Sequence, residues 1–542
     1  MKSAALSIIT LAVALAAIGL FAVRPVEDFD TGYHFATGEY ILDTHTIPTQ
    51  DVFSFSAPGA RWISHYWLGD TLFAVLERVG GLWAVMGFIA LLAATTFALV
   101  FRIGWMRSSG PSYLLAIVAL ALLGLTRELW VIRPQVFSYL LLGVVLFLIE
   151  KARRHNRTAL AVIPLLLWLW ANMHSSVVFG IALVWLWVLT EGYRAWPNWK
   201  KAALPAVVGA VGSALTLMNP SGLGVHLLIQ QVDKDIQEFH SLLSFLGSWQ
   251  ANLFLLLIVV AGGIAVSMWR RQWKTEKDLF WPAVAFVAAL LPLQAIRHVG
   301  FFPILVLPAF APLVLSLEEQ IPTQFRLAAK RVCIFVVVLL LYFGVRSAVV
   351  VTAEPDGTVL PVAATKFLDE AEIQDPIFHT PEFGGYLIWK RWPAHLVFVD
   401  GRNDVYGETG VLEAYRAIIE QQPGWEDRFQ YYGFNAVMVP YRGLYSEPVG
   451  RLSRSLVENL GFTLVYWDDV ALVYVRDAAH ADVVATEGYR IIDPYRNPAF
   501  FSSEELEIAR REVIRAQDTT PNSMVVRRYA EAVARVVSSA EE

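Results

Sequence analysis

Asp28, Asp30 and His34 follow the first apolar run of this 542-residue chain, and His65 and Asp70 precede the second. Arg133, His174, Asn219 and the pair Arg297-His298 each stand at the edge of a later apolar run. An ionisable group set in or against a bilayer costs several kcal/mol unless it is paired or wetted. If the apolar runs are membrane spans, all of these residues fall on one side, which suggests a polar cavity open to the outside. Taken singly, each has a plainer role. Interfacial charges such as Asp70 and Arg133 snorkel or cap helices, Asp28 and Asp30 suit an N-cap pair, and His174 suits a packing histidine. A second set, Asp400, Arg402 and Asp404, ends a strand-like run and enters a loop, a common place for ligand contact in α/β folds. There the plainer role is an Arg402 ion pair that pins the loop. No nucleophilic Ser/His/Asp set, phosphate-cradling loop or zinc site is recognisable.

The elements that must position these residues follow from composition. Hydrophobic residues make up 56% of the chain and charged residues 17%, against roughly 25% charged in soluble domains. The net charge of −5 leaves no basic footprint for nucleic acid. The single cysteine, Cys333, lies in an apolar run, so no disulfide supports the rest. About eleven transmembrane helices are expected, near 4–23, 81–101, 111–126, 134–150, 158–172, 175–191, 202–218, 250–269, 279–294, 300–316 and 331–351. The first of these reads as a span rather than a signal peptide, because it lacks a small-residue cleavage site. Asn172-Met173-His174 separates the fifth and sixth as a tight helical hairpin.

Basic residues set the orientation. Arg102 and Arg107, then Lys151, Arg153, Arg154 and Arg157, then Arg194, Lys200 and Lys201, then Arg270, Arg271, Lys274 and Lys277, then Arg326, Lys330 and Arg331 mark alternate loops as cytoplasmic. An odd number of spans then places the C-terminal part outside. The fold class expected is an α-helical polytopic membrane protein with a C-terminal extracytoplasmic α/β domain and a helical tail. Its divisions are a membrane domain over 1–351 with a long first external loop at 24–80, an α/β domain over 352–478, and a polar helical tail over 479–542. The first loop carries two amphipathic stretches, Tyr33–Leu42 and Tyr66–Val79, and residues 219–249 form a second external loop. Within the α/β domain, 376–379, 395–400 and 435–440 read as strands and 408–421 and 448–460 as helices. Residues 462–466 and 471–476 read as a hairpin across Asp468-Asp469.

Three stretches of the first loop carry a resemblance: Glu27-Asp28-Phe29-Asp30-Thr31-Gly32-Tyr33-His34, Ile47-Pro48-Thr49-Gln50-Asp51-Val52-Phe53-Ser54, and Trp62-Ile63-Ser64-His65-Tyr66-Trp67-Leu68. Together with Arg133-Pro134-Gln135, Trp170-Ala171-Asn172-Met173-His174, Asn219-Pro220, Arg297-His298, Gly384-Gly385-Tyr386 and Val399-Asp400-Gly401-Arg402, they resemble bacterial polytopic proteins of the GT-C glycosyltransferase superfamily. That superfamily includes protein O-mannosyltransferases and oligosaccharyltransferase catalytic subunits. The resemblance covers most of residues 1–476.

The resemblance implies a membrane glycosyltransferase that moves a sugar from a polyprenyl-phosphate donor to a glycan, lipid or protein acceptor at the outer face. It implies a multi-pass protein of the bacterial cytoplasmic (inner) membrane with a cytoplasmic N-terminus, surrounded by membrane lipid. Asp28 or Asp30 would be the general base, the other carboxylate orienting the acceptor or holding a divalent cation such as Mg or Mn. His34, His65, Arg133, His174, Asn219, Arg297 and His298 would face the substrate and its phosphate. The related pattern has two tryptophans after the acidic residue where this chain has Gly32-Tyr33, so no sugar is named. Other classes compatible with the same residues are a transporter or flippase of lipid-linked sugars and a non-catalytic cell-envelope binding or assembly protein.

Overall fold

The computed structural model describes residues 2–108, 110, 112–154, 157–228, 239–275, 278–374, 376–441 and 446–541. Residues 229–238 of the second expected loop lie outside the described residues. The chain forms two compact units. The helix unit comprises Met1–Pro25, Gly38–Ile47 and Ile63–Glu354, and the sheet unit comprises Val26–Thr37, Pro48–Trp62 and Pro355–Glu542.

The first helix, α1 (Lys2–Ala22), belongs to the helix unit, and α2 (Thr31–Thr44) runs across the division between Thr37 and Gly38. The helix unit continues with α3 (Trp67–Arg107), α4 (Tyr113–Thr126), α5 (Gln135–Arg153), α6 (Ile163–Ala171), α7 (Val177–Ala195) and α8 (Ala203–Leu215). A single turn, α9 (Gly224–Leu227), precedes α10 (Trp249–Thr275), α11 (Phe280–Gln294), α12 (Phe301–Gln320) and α13 (Thr323–Val349). Among the described residues, six helices are long and apolar enough to cross a membrane: Trp67–Arg107, Gln135–Arg153, Val177–Ala195, Trp249–Gln272, Ile296–Gln320 and Thr323–Val349. Shorter apolar helices at Ile8–Ala22, Arg157–Ala171, Ala203–Leu215 and Phe280–Gln294, together with α4, occupy the other expected spans. At a rise of about 1.5 Å per residue, α1 with its 21 residues reaches roughly 30 Å of hydrocarbon, whereas the other four fall short of it.

The amphipathic stretch after Tyr66 and the apolar run after residue 80 form one element, α3, broken at Gly80-Gly81. Gly81 has φ 61° and ψ −164°, a conformation essentially restricted to glycine. In α12 the ring of Pro312 cannot donate a hydrogen bond to the carbonyl of Pro308, one turn earlier. Arg107 Nε donates to that carbonyl at 2.9 Å, so a side chain of α3 satisfies what proline leaves open. Arg153 at the end of α5 is buried between Glu191 Oε1 of α7 at 2.9 Å and Asp278 Oδ2 at 2.7 Å, beside the start of α11.

The sheet unit is built from α14 (Val362–Glu370), β1 (Ile377–His379), α15 (Pro381–Arg391), α16 (Asn403–Tyr406), α17 (Val411–Glu420), α18 (Trp425–Tyr431), β2 (Ala436–Pro440), α19 (Ser446–Asn459), β3 (Phe462–Trp467) and β4 (Ala471–Arg476). Then follow α20 (Ala481–Glu487), α21 (Ser503–Thr519) and α22 (Met524–Glu541). The four strands run in the order β1-β2-β4-β3, with β1 parallel to β2 and the other pairs antiparallel. Asp468 closes the β3–β4 hairpin by accepting the N–H groups of Val470 and Ala471, each at 2.7 Å. Phe434 packs at the centre, its ring 4.9 Å from Phe398, 5.1 Å from Phe429 and 5.4 Å from Phe378.

The strand expected over 395–400 does not join this sheet. Val397 is extended, but its N–H donates to Phe53 O at 2.9 Å and its carbonyl accepts from Phe55 N at 3.0 Å. Its partner is therefore the short stretch Pro48–Trp62 of the same unit, in an isolated bridge with Ser54.

Carboxylates that accept backbone N–H groups fasten the helical tail to the sheet and hold the tail's own segments together. Asp469 accepts from Met524 and Val525 at the start of α22, both at 2.8 Å. Glu512 of α21, itself buried, accepts from Arg490, Ile491 and Ile492 at 2.6, 3.1 and 3.0 Å.

Candidate functional site

In the sheet unit, the acidic stretch becomes an ordered turn into α2. Asp28 Oδ1 accepts the Asp30 N–H at 3.0 Å, and the carbonyls of Asp28 and Asp30 accept from Thr31 and His34, both at 3.3 Å. Asp30 directly precedes the first helical residue, and both carboxylates are half-buried. His34 is buried, its ring 4.3 Å from that of Tyr33.

Glycines bring this turn against α15 and the segment after Phe398. A Cβ on Gly32 would run into the carbonyl of Gly385, and one on Gly385 would run into the carbonyl of Phe29. One on Gly384 would meet the carbonyl of Val399, and one on Gly401 would land on the Asp30 carboxylate. Backbone therefore packs on backbone along the turn.

The adjoining Asp400, Arg402 and Asp404 separate in role. Arg402 is buried with Nε 2.8 Å from Asp400 Oδ1, Nη2 2.6 Å from Asp400 Oδ2, and Nη1 2.8 Å from Asp51 Oδ1. Tyr406 donates to Asp400 Oδ2 at 2.6 Å. Burial alone would raise the Asp400 pKa, but the Arg402 charge and the Arg402 and Tyr406 hydrogen bonds hold it below the usual carboxylate range. Burial works against the Arg402 charge, and Asp400, Tyr406 and Asp51 outweigh it, raising its pKa further. Its guanidinium also lies 4.6 Å from the Trp62 ring centre and 5.0 Å from that of Phe53. Asp51 further accepts the N–H groups of Phe53 and Ser54 at 3.2 and 3.0 Å, and the Ser54 hydroxyl. Asp404 lies in the first turn of α16, half-buried. Reading the sequence singled out Arg402 but missed Asp51, whose spacing to Ser54 signals a local turn and whose distant partner leaves no local mark.

The helix unit gathers part of the other set. His65 and His174 have ring centres 6.3 Å apart, with the Tyr66 ring 3.5 Å from the first and 5.3 Å from the second. The His65 pKa is lowered to about 4, chiefly by burial; its Nδ1 contact with Ile63 O at 3.0 Å opposes this and the Arg297 charge adds to it. His65 is therefore neutral near pH 7 and donates through Nδ1, which leaves Nε2 an acceptor. His174 has the reverse arrangement. Its Nδ1 accepts from Ser176 N at 2.9 Å, so a neutral ring carries its proton on Nε2. Ser176 reaches Ser138 at 2.6 Å, and Trp170 Nε1 donates to Ser138 at 2.9 Å.

Arg297 stacks over Phe239 at 4.6 Å, and its carbonyl accepts from Gln135 Nε2 at 3.3 Å. His298 packs edge-on to Phe179 at 4.9 Å. Asn219 closes its own turn, donating to Thr216 O at 2.7 Å and Gly222 O at 2.9 Å, and accepting from Ser221 N at 2.8 Å. Arg133 lies in the turn before α5, its N–H donating to Val131 O at 2.8 Å. Asp70 is buried in the first turn of α3, and a Cβ on Gly38 would collide with its carbonyl. Gln135, Ser138, Tyr66 and Ser176 join this cluster without having been singled out for their side chains. Among the described residues, no group of three or more His, Cys, Asp or Glu side chains could hold a metal ion.

No family model matches the chain, and no curated protein matches it in sequence. Solved structures do match in fold. The apo oligosaccharyltransferase of Archaeoglobus fulgidus aligns over 87% of this chain and 74% of its own, with TM-score 0.56 and 8% identity. The archaeal oligosaccharyltransferase AglB from Archaeoglobus fulgidus, in complex with an inhibitory peptide and a dolichol-phosphate, aligns over the same shares with TM-score 0.56 and 11% identity. The Archaeoglobus fulgidus enzyme in complex with Zn and sulfate aligns over 87% and 73%, with TM-score 0.55 and 12% identity. The chain thus shares the fold of these oligosaccharyltransferase structures, and among its described residues six helices are long and apolar enough to cross a membrane.

Proposed function

We propose that this protein is a membrane glycosyltransferase that moves a sugar from a polyprenyl-phosphate-linked donor to a hydroxyl-bearing glycan, lipid or protein acceptor. The observation that carries the reading is the Asp28–Asp30 turn, two half-buried carboxylates held at the entry of α2 in a chain with an oligosaccharyltransferase-like fold. In the reaction, the acceptor oxygen attacks the anomeric carbon, the bond from that carbon to the donor phosphate breaks, and the acceptor proton passes to a carboxylate. A base within hydrogen-bond reach of the hydroxyl contributes about 10²–10⁴-fold to such a step. The leaving phosphate calls for fixed cations and N–H donors, a role for Arg297 and Arg133, whose planar forks suit two phosphate oxygens. His174, with its proton on Nε2, suits a neutral donor; His34, His65, Asn219 and His298 line or shape substrate contacts. A divalent cation, Mg or Mn, would be held by whichever of Asp28 and Asp30 does not act as the base, and would neutralise phosphate charge. No step above is routed through it. The reading places the multi-pass chain in a bacterial inner membrane, with the N-terminus cytoplasmic and the C-terminal domain outside.

The test uses membranes containing the full-length protein and a panel of polyprenyl-phosphate-linked hexoses and pentoses, with release of free polyprenyl phosphate read by mass spectrometry. Asp28→Asn and Asp30→Asn are made separately, and loss of release in at least one is expected. Unchanged release by both well-expressed variants removes the general base, and sugar crossing liposomes without covalent product would identify a transporter instead.

A further inference from the structure

The contact between Gly401 and Asp30 gives the turn after Phe398 a part in the chemistry. In a loop that merely closed the fold, Gly401 would be replaceable by alanine, because nothing in its backbone demands glycine: its φ lies outside the left-handed region. What demands glycine is the Asp30 side chain. A Cβ at Gly401 would meet Asp30 Oδ1 and lie 3.1 Å from Asp30 Cγ. The backbone on neither side can yield freely, so an added Cβ would have to turn the Asp30 carboxylate aside. On one side, Gly401 sits between Asp400 and Arg402, both fully engaged in the buried set with Asp51 and Tyr406. On the other side, Asp30 is held through Phe29, whose carbonyl faces Gly385, and through Gly32, which packs on the carbonyl of Gly385. Asp28 is committed to the Asp30 N–H through one oxygen.

We infer that Asp400-Gly401-Arg402 is a positioning element: the ion set fixes Gly401, and the bare Cα of Gly401 sets where the Asp30 carboxylate stands. The inference rests on the reading of Asp30 as an acid–base group, and it selects Asp30 over Asp28 for that role. It also gives the Arg402 ion set a purpose beyond pinning a loop. Burying one cation between two carboxylates is weak evidence for stability alone; holding one backbone atom still is something such a set does well.

The experiment is a double-mutant cycle in the full-length protein in detergent, with Gly401→Ala, Asp30→Ala and the double variant compared by melting temperature. Gly401→Ala is expected to lower the melting temperature in the parent and to leave it unchanged in the Asp30→Ala background, where the obstructing carboxylate is gone. An equal drop in both backgrounds overturns the contact. If Gly401→Ala alone fails to fold, recovery of folded protein in the double variant supports the proposal, and failure of both overturns it. The positioning role is read from release of polyprenyl phosphate. Gly401→Ala is expected to lower kcat about a hundredfold with donor KM little changed, as a misplaced catalytic group does. An unchanged kcat, or a loss confined to KM, overturns it. Should Asp30→Asn retain full release, the base assignment fails while the melting cycle still reports on the contact, so the two failures are told apart.

Discussion

Arg402 Nη1 lies 2.8 Å from Asp51 Oδ1, joining a turn of the early chain to a turn of the late chain inside one unit. Both side chains are almost wholly buried, with 2% and 0% of their surface exposed. Removing the cation leaves Asp51 and Asp400 facing each other without water. Arg402→Met is therefore expected to destabilise the sheet unit by about 3–5 kcal/mol, the cost of breaking a buried pair by removing one partner. Arg402→Lys should recover only part of that, because an ammonium cannot address both carboxylates through a planar fork. Melting of the purified protein, followed by tryptophan fluorescence, checks both; a wild-type melt for Arg402→Met contradicts the assignment.

His379 should make the same unit acid-sensitive. Its Nε2 accepts from Phe398 N at 3.0 Å, its Nδ1 contacts Thr380 O at 3.0 Å, and burial lowers its pKa to about 4. A histidine with a folded pKa below the unfolded value near 6.5 favours the native state at neutral pH. Stability is lost as pH falls from about 6.5 toward 4, by up to roughly 3 kcal/mol. Denaturant midpoints across that range should fall less steeply for His379→Gln than for the parent.

Gly81→Ala tests the break in α3. The space around a Cβ there is open, so the penalty comes from backbone conformation alone, on the order of 1–3 kcal/mol. Gly87→Ala is the matched control, since a Cβ there also meets nothing and the backbone is helical. It should be neutral or stabilising by up to about 1 kcal/mol. Equal melts for the two variants would show that the break is not maintained.

Glu512→Ala removes the acceptor for three successive N–H groups. Hydrogen exchange at Arg490, Ile491 and Ile492 should quicken, with a loss of about 1–3 kcal/mol. Exchange confined to its parent rate at those amides would mean that other groups hold the segment.

Arg297→Lys keeps the charge and loses the fork. On the proposed reading, donor KM rises about tenfold or more, the loss of a bidentate, charge-assisted pair. A variant with unchanged KM would remove Arg297 from phosphate binding.

Much of the fold is legible in the sequence where the signal is local. Apolar runs mark the helices, the Gly80-Gly81 pair marks the break in α3, and Asp468-Asp469 marks the β3–β4 hairpin. Strand character around Val397 is also legible, but alternation says only that a segment is extended and not which segment it pairs with. It pairs with Phe53 and Phe55, hundreds of positions earlier. The same limit explains the site. The acidic turn and Arg402 are visible as residue types, whereas Asp51 and the tight approaches at Gly385 and Gly401 depend on partners far away in the chain. His65 and His174 could be singled out, but which ring nitrogen of each carries the proton follows only from Ile63 O and Ser176 N.

The sheet unit draws on Val26–Thr37, Pro48–Trp62 and Pro355–Glu542, and this has a consequence for biosynthesis. During translation, Asp51 emerges early and has no counter-ion until the ribosome has delivered Arg402, after every intervening hydrophobic segment has been handed to the insertion machinery. A nascent chain halted at Glu354 carries an orphan acid and an unmatched extended stretch, and a polypeptide begun at Pro355 lacks both. Neither half holds the whole sheet unit, so the early segments gain their partners only when the last segment is complete.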